Sequence, residues 1–371
     1  MNKQTINLIT LEFPPNRGGA GVYCEELSYA ASKIGFKITI WAPKNSNYVE
    51  GCKIIKLPFN GSQSWFCSLL LILILRRNLG NNDILHFAEP AALLAFIRFG
   101  WLIKGAPKII TTIHGSELLK FTRKTLIKKL FLRIIKKTSR IHVLSNYNEH
   151  KVTELFTSFP HKNIVRLPGG VPRRLKKVNN STSPKPPDGK ITLICVGRIH
   201  PRKGQYELLE AINKLPNDIK KKIRCKFIGP FTHTTYSKKV RMFAEKIGCE
   251  INFYGNVSDE KLRIHYESAD LFALTPINCP KSVEGFGFVY LEASYHGIPT
   301  IGHKVGGVED AVLDECTGYL AEPDDRASLT KIIEKLVCNE SLREKLGQDG
   351  HKWAKGHCWQ KVGRHIYKKL E

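Results

Sequence analysis

Acidic residues are scarce: 33 Asp and Glu stand against 58 Lys and Arg, a formal net charge of +25. The deficit is uneven. Residues 1–185 carry 29 basic and 9 acidic side chains, whereas the remainder carries 29 and 24. A basic half joined to a nearly balanced half points to one domain that faces an anionic surface, either lipid or nucleic acid. Long apolar runs are also missing. The longest, Trp65 to Leu75, is about half the roughly 20 residues that a membrane-spanning helix needs. The ten cysteines form no C-x-x-C pair and no zinc spacing, so they read as scattered, reduced thiols of a reducing compartment. No secretory leader is read at the start, where a strand over 6–10 runs into a Pro-rich turn, and a cytoplasmic setting is expected. No internal repeat or low-complexity tract is visible. The bases cluster without a nucleic-acid-binding motif and without the aromatic interleaving of a stacking platform. A disulfide scaffold, an integral membrane protein, a secreted protein and a nucleic-acid partner are therefore disfavoured.

What is present is a chain of 371 residues, 42% hydrophobic and 25% charged, long enough for two or three domains with real cores. Short apolar strands alternate with amphipathic helices, the pattern of parallel α/β sheets. In the first half strands are expected at 5–10, 37–42, 53–57, 83–87, 108–113, 140–144 and 164–167, with helices at 21–34, 65–77, 91–103 and 122–138. A Pro-, Ser-, Asn- and Lys-rich stretch over 172–190 then reads as a linker. The second half restarts the cycle. Strands are expected at 191–196, 224–228, 251–254, 270–274, 299–301 and 318–320, and helices at 204–214, 238–247, 259–268, 288–296, 307–313, 327–337 and 341–350. The expected fold class is α/β: two Rossmann-like domains, 1–171 and 191–352, facing each other across a cleft at the carboxyl ends of their sheets.

Two motifs in the second half carry the strongest chemistry. In Glu284-Gly285-Phe286-Gly287, with Glu292 eight positions on from Glu284, the Gly-Phe-Gly turn opens a helix. Exposed backbone N–H groups and a helix N-terminus favour an anion there. A carboxylate accepts paired hydroxyl hydrogen bonds, which suits a sugar or a ribose; a plain turn with two solvated glutamates is the alternative. The second motif, Val196 to Gly204, follows a strand and brings Arg198, Arg202 and Lys203 to a helix start. That is a phosphate site in the making, or else a solvated basic turn.

Three further stretches lie in the first half. Gly18-Gly19-Ala20-Gly21 follows the first strand, but Cys24 stands where a dinucleotide fingerprint needs its third glycine. Its small residues would still let the backbone approach a phosphate or sugar. His114 sits where the strand 108–113 gives way to a loop. Within 121–140, apolar residues at helical spacing alternate with Lys128, Lys129, Arg133, Lys136 and Lys137. Such a helix either lies on an anionic membrane or packs on the core with its basic face in water.

Together these strings resemble the signature of the retaining nucleotide-sugar glycosyltransferases of family 4, which have a GT-B architecture. The resemblance covers nearly the whole chain, including the closing stretch 353–371, which resembles the helix that crosses back to the N-terminal domain. It implies that Arg198 and Lys203 hold the donor diphosphate and neutralise the leaving group, so that no metal or other cofactor is required. Glu284 would contact sugar hydroxyls, Gly285, Phe286 and Gly287 would add backbone N–H groups at the diphosphate, and Glu292 would bind the ribose. Val257 would read the base through its backbone. Gly18 and Gly19 would pack against the phosphates, and His114 would bond the donor sugar. The implied reaction moves a hexose from a UDP- or GDP-sugar to a glycan or lipid-linked acceptor with retention, by front-face displacement. The setting would be cell-surface polysaccharide or glycolipid synthesis, at the inner face of an anionic membrane. A sugar-nucleotide isomerase or hydrolase on the same architecture is the alternative. Phe36 and Glu117 depart from the residues common in the family, His and Asp.

Overall fold

The computed structural model describes residues 4–15, 18–61, 63–80, 83–105, 107–176 and 188–368. The chain divides into two units. The first comprises Met1–Gly169 with Cys358–Glu371, the second Gly170–His357.

In the first unit seven strands are β1 (Thr5–Ile9), β2 (Lys37–Ala42), β3 (Cys52–Lys56), β4 (Ile84–Phe87), β5 (Lys108–Ile113), β6 (Arg140–Val143) and β7 (Ile164–Arg166). They pair in parallel in the order β3-β2-β1-β4-β5-β6-β7. Strands such as Lys37–Ala42 are buried at nearly every position, because a parallel sheet is covered by helices on both faces. The core of one face gathers Leu71, Leu75, Phe87, Phe96 and Phe131 from strand and helices. Strand order reverses between β1 and β4, so the loops after these two strands are where such a sheet opens toward a ligand.

The basic helix expected over 122–138 is shorter, Thr125–Ile135, and a separate short helix, Ser116–Phe121, precedes it. Ile127, Phe131, Ile134 and Ile135 are buried, while Lys128, Lys129, Arg133, Lys136 and Lys137 are all exposed. The helix packs on the core and turns its cations to solvent. The closing stretch is also divided. Trp353 to Lys355 complete the helix Glu340–Lys355 of the second unit, and the returning segment is the helix Trp359–Tyr367. That helix lies along Gly19–Lys33, with Gly363 facing Ala31 at ordinary packing distance.

The second unit has β8 (Ile191–Val196), β9 (Ile223–Ile228), β10 (Glu250–Gly255), β11 (Leu271–Ala273), β12 (Thr300–His303) and β13 (Gly318–Ala321). All are parallel, in the order β10-β9-β8-β11-β12-β13, with the reversal between β8 and β11. The stretch 172–190, expected as a linker, is described only in part. Arg173–Leu175 form a helical turn packed on the helix Asp259–Glu267, and Arg174 pairs with Asp259 at 2.7 Å. Residues 177–187 of that stretch lie outside the described residues. The expected helix over 307–313 is only the turn Val308–Asp310. Gly306 before it takes φ +62°, and a Cβ there would meet the Glu284 carbonyl oxygen at 2.4 Å.

Glu89 joins β4 to its helix. Its carboxylate accepts from Ala91 N and Ala92 N, both at 2.7 Å, and from Leu11 N at 2.9 Å. Burial nevertheless pushes its pKa up to about 7, against the pull of those N–H donors. The folded chain therefore holds a proton that the unfolded chain releases near 4.5, and stability contributed by this group falls as pH rises from about 4.5 to 7. Chemical denaturation across that window should show the wild type losing up to about 3 kcal/mol relative to Glu89→Gln. A constant difference between the two proteins would contradict the assignment.

Candidate active site

The second unit brings its two expected motifs together at the strand-order reversal. The loop after β8 turns at Gly197 (φ +152°), runs through the helical turn Pro201–Lys203, and enters the helix Gln205–Asn213 at Gly204. Gly204 is left-handed (φ +69°), and a Cβ there would fall 1.6 Å from the Thr275 carbonyl oxygen. Only glycine permits that approach. Gln205, fully buried, clamps the loop by donating to Arg198 O at 2.9 Å while accepting from His200 N at 3.3 Å. The segment after β11 is held equally firmly. Tyr290 OH donates to Leu274 O at 2.5 Å, and His303 Nδ1 lies 3.0 Å from Pro276 O.

These supports set Glu284 against two cations. Arg202 Nη1 and Lys203 Nζ both donate to Glu284 Oε2, each at 2.6 Å. The three side chains are only 11–12% exposed. Burial alone would raise the Glu284 pKa, but Lys203 and Arg202 overcome it and bring the carboxyl down to about 2. Burial pushes the Lys203 ammonium downward, and Glu284 opposes that shift. Neither cation bonds Oε1. Arg198 lies two residues past the end of β8, exposed, and its guanidinium makes no hydrogen bond or ion pair with any described residue. Three cations against one carboxylate leave the loop with surplus positive charge at the end of a parallel sheet, which suits a phosphate group.

Gly285, Phe286 and Gly287 are buried beside this cluster. Gly287 caps the helix Phe288–Tyr295 in a left-handed conformation (φ +87°), with the Tyr290 ring 2.7 Å from where a Cβ would be. Glu292 lies within that helix, buried, and accepts from Tyr266 OH at 2.9 Å. The Tyr266 ring in turn stacks on His296, with centroids 5.3 Å apart. Val257 is half-buried between β10 and the helix Asp259–Glu267. Two things were missed in the sequence: the pairing of Arg202 with Glu284, and the tyrosine on Glu292. Both partners lie more than 20 positions away, and no local pattern marks them.

In the first unit the expected residues flank the other reversal. His114 Nε2 lies 2.9 Å from Ala88 O, the ring meets Tyr23 edge-on at 5.0 Å, and the backbone N–H donates to the buried Glu117 carboxylate. Gly18 precedes the helix Gly19–Lys33, and space beside Gly19 is open. The N–H groups of Gly18 and Gly21 are already bonded, however, by Glu12 Oε1 at 2.6 and 3.0 Å. A side-chain carboxylate thus sits at the helix start where an approaching phosphate was expected. Behind it runs a buried polar chain that was also not anticipated. Tyr367 OH meets His86 Nδ1 at 2.8 Å, His86 Nε2 meets Thr112 Oγ1 at 2.7 Å, and Thr112 meets Tyr23 OH at 3.0 Å. Tyr23 OH then reaches His142 Nδ1 at 2.9 Å. Burial drives the His86 pKa well below its ordinary value and that of His142 down to about 3. Both rings are neutral at pH 7, and each can donate at one nitrogen and accept at the other.

Residues 17–174 match the family described as Glycosyltransferase Family 4, and residues 177–353 match Glycosyl transferases group 1. The chain belongs to glycosyltransferase family 4. A similar protein is the GDP-mannose-dependent alpha-(1-6)-phosphatidylinositol monomannoside mannosyltransferase of Mycolicibacterium smegmatis, 25% identical over 95% of this chain and 94% of that one. Among solved structures, sucrose-phosphate synthase from Thermosynechococcus elongatus superposes with a TM-score of 0.80 at 18% identity, covering 98% and 97% of the two chains. Anabaena HepE in complex with UDP and glucose gives 0.76 at 14%, covering 99% of each. The fold of this glycosyltransferase is GT-B, as the motifs implied.

Removing the carboxylate tests the cluster. Glu284→Gln strands two buried cations and should lower stability by on the order of 3 kcal/mol at pH 7. Because the folded carboxyl titrates near 2 and the unfolded one near 4.5, its contribution is complete above pH 4.5 and is lost as pH falls toward 2. The gap between wild type and variant in denaturant titrations should close across that window. A gap that persists unchanged to pH 2 would mean that the charge pair is not its source.

Proposed function

We propose that this glycosyltransferase moves a hexose from a nucleotide-diphosphate sugar to a lipid-linked or glycan acceptor, with retention of anomeric configuration and without a metal ion. The observation that carries the reading is the Arg198, Arg202, Lys203 and Glu284 cluster at the carboxyl ends of β8 and β11. Arg198 and Lys203 take the diphosphate, with Arg202 beside them. Their fixed charge stabilises the leaving group as its negative charge develops, the work a metal ion would otherwise do. Glu284 stays ionised at every working pH and presents Oε1 to sugar hydroxyls, while backbone groups of Gly285, Phe286 and Gly287 border the diphosphate. Glu292, already positioned by Tyr266, takes the ribose hydroxyls, and Val257 borders the base.

A retaining front-face route needs no enzyme nucleophile. The departing phosphate accepts the proton of the acceptor hydroxyl, and the new bond forms on the face from which the phosphate leaves. A Glu284 held ionised by two cations fits an orienting role better than proton transfer, since its pKa lies far from the operating range. In the first unit, His114 is the group for the donor sugar, and Gly18 and Gly19 give the phosphates a close backbone approach once Glu12 yields. The exposed Lys128, Lys129, Arg133, Lys136 and Lys137 draw this unit to an anionic cytoplasmic leaflet, where a lipid-linked acceptor resides. GDP-mannose is the first donor to test, since the M. smegmatis relative is named for it.

Thermal-shift measurements with GDP, UDP and ADP should raise the melting temperature for one of the three, in a dose-dependent way. Turnover with the corresponding sugar nucleotide should survive EDTA, and NMR of the product should show the donor's anomeric configuration. Lys203→Ala should cut kcat/KM by about a hundredfold or more, the typical cost of removing one transition-state donor. Full activity in that variant, or loss of turnover in EDTA restored by a divalent ion, would overturn the mechanism.

A further inference from the structure

From Trp65 to Leu75 the helix Trp65–Asn78 is almost wholly apolar, with Arg76, Arg77 and Asn78 confined to its last turn. Its inner face, Ser68, Leu71, Ile72 and Leu75, is buried in the first unit's core. Its outer face is not covered: Phe66 is 72% exposed, Trp65 49% and Leu73 42%. A helix hydrophobic all round is ordinarily buried all round, and contiguous exposed apolar surface marks an interaction site. The patch continues beyond the helix. Trp65 stacks edge-on against Phe99 at 5.6 Å and lies under the Arg98 guanidinium at 4.4 Å. Two residues past Phe99, Trp101 stands 63% exposed. An open depression of about 510 Å³ follows along the helix, walled by Leu70, Leu73 and Ile74 and closed by Arg77 and Asn78.

The charge around this surface is predominantly positive. Arg76, Arg77 and Lys104 are exposed at its edges. Between residues 51 and 116 the chain has just two acids, Asp83 and Glu89, and Glu89 is buried beneath a helix start. Apolar residues flanked by tryptophans and ringed with arginine match the water–lipid boundary of an anionic bilayer, where indole rings sit at the headgroup level and cations meet lipid phosphates. At 14 residues the helix is about 21 Å long, too short to cross a hydrocarbon core of about 30 Å. It can lie in the interface but not span it. The helix Pro90–Phe99 packs against both this helix and Thr125–Ile135, so the apolar patch and the basic face belong to one layer of helices.

We propose that Trp65, Phe66, Leu73 and Trp101 insert into the headgroup and upper acyl region of an anionic bilayer. The inference rests on the lipid-facing role given above to the first unit, and adds an apolar anchor to an attraction otherwise purely electrostatic. The anchor explains why a helix that could bear polar residues on its outer face bears phenylalanine and leucine instead.

The test uses the full chain and vesicles of phosphatidylglycerol mixed with brominated phosphatidylcholine. Bromine on the acyl chains should quench tryptophan fluorescence in the wild type. The double variant Trp65→Phe, Trp101→Phe should sediment with the vesicles yet lose most of that quenching. Phe66→Ser combined with Leu73→Ser should weaken co-sedimentation about tenfold or more. The nucleotide-induced thermal shift should stay the same in every variant, which separates failure of the anchor from failure of the donor-site reading. Sedimentation without quenching would show that the basic helix binds alone and would overturn the proposal. So would absence of binding to anionic vesicles, or a concentration-dependent dimer on gel filtration that Phe66→Ser disperses, which would make a second copy the occupant.

Discussion

One carboxylate oxygen shared by two cations holds the second unit's site in shape. Glu284 Oε2 draws Arg202 and Lys203 to within 2.6 Å, binding the loop after β8 to the segment after β11 across the strand-order reversal. Each component would be costly alone, since a buried charge without a partner is disfavoured by several kcal/mol. Together they fix where positive charge sits before any substrate arrives. The glycines nearby serve this closure: Gly204 lets one loop pass against the Thr275 carbonyl, and Gly306 lets another pass against the Glu284 carbonyl. Preorganised charge of this kind acts on a developing anion without having to reorient at the moment of reaction.

The first unit solves a different problem, that of neutral polarity in a dry interior. Tyr367, His86, Thr112, Tyr23 and His142 bond in series, so groups that would each be penalised by burial satisfy one another. Tyr23 also meets the edge of His114, which places the end of the chain's last helix three hydrogen bonds and one ring contact from the proposed sugar-binding histidine. Glu12, by contrast, keeps an anion's place at a helix start, bonding two backbone N–H groups that a phosphate would otherwise meet unoccupied.

Much of this was readable from residue order. Parallel strands buried on both faces, such as Ile191–Val196, are continuous apolar runs and announce themselves; the ends of the observed strands lie within two residues of the expected ones. Helices were harder where the residues are polar or the turn chemistry decides. The helix Asn146–Leu155 lacks a strong apolar stripe to announce it, and the spacing over 307–313 suggests a helix that Gly306 and Gly307 reduce to a single turn. For the site, the Arg198 to Lys203 and Glu284 to Glu292 strings were legible as local patterns. Their mutual contacts were not, because a pairing across 81 or 82 positions leaves no trace in spacing. The same holds for Tyr266 with Glu292, 26 positions apart, whose partnership exists only once the sheet has formed.

The first unit is not continuous in sequence. Trp359, Val362, Ile366 and Tyr367 are part of its interior, and 188 residues of the other unit, Gly170–His357, intervene. Chains emerge from the ribosome in order, and domains generally fold as they appear. Here the earlier-made half must wait with the flank along Gly19–Lys33 uncovered while the later-made unit is synthesised and can already be complete. The first unit's interior can therefore close only after the second unit has been synthesised.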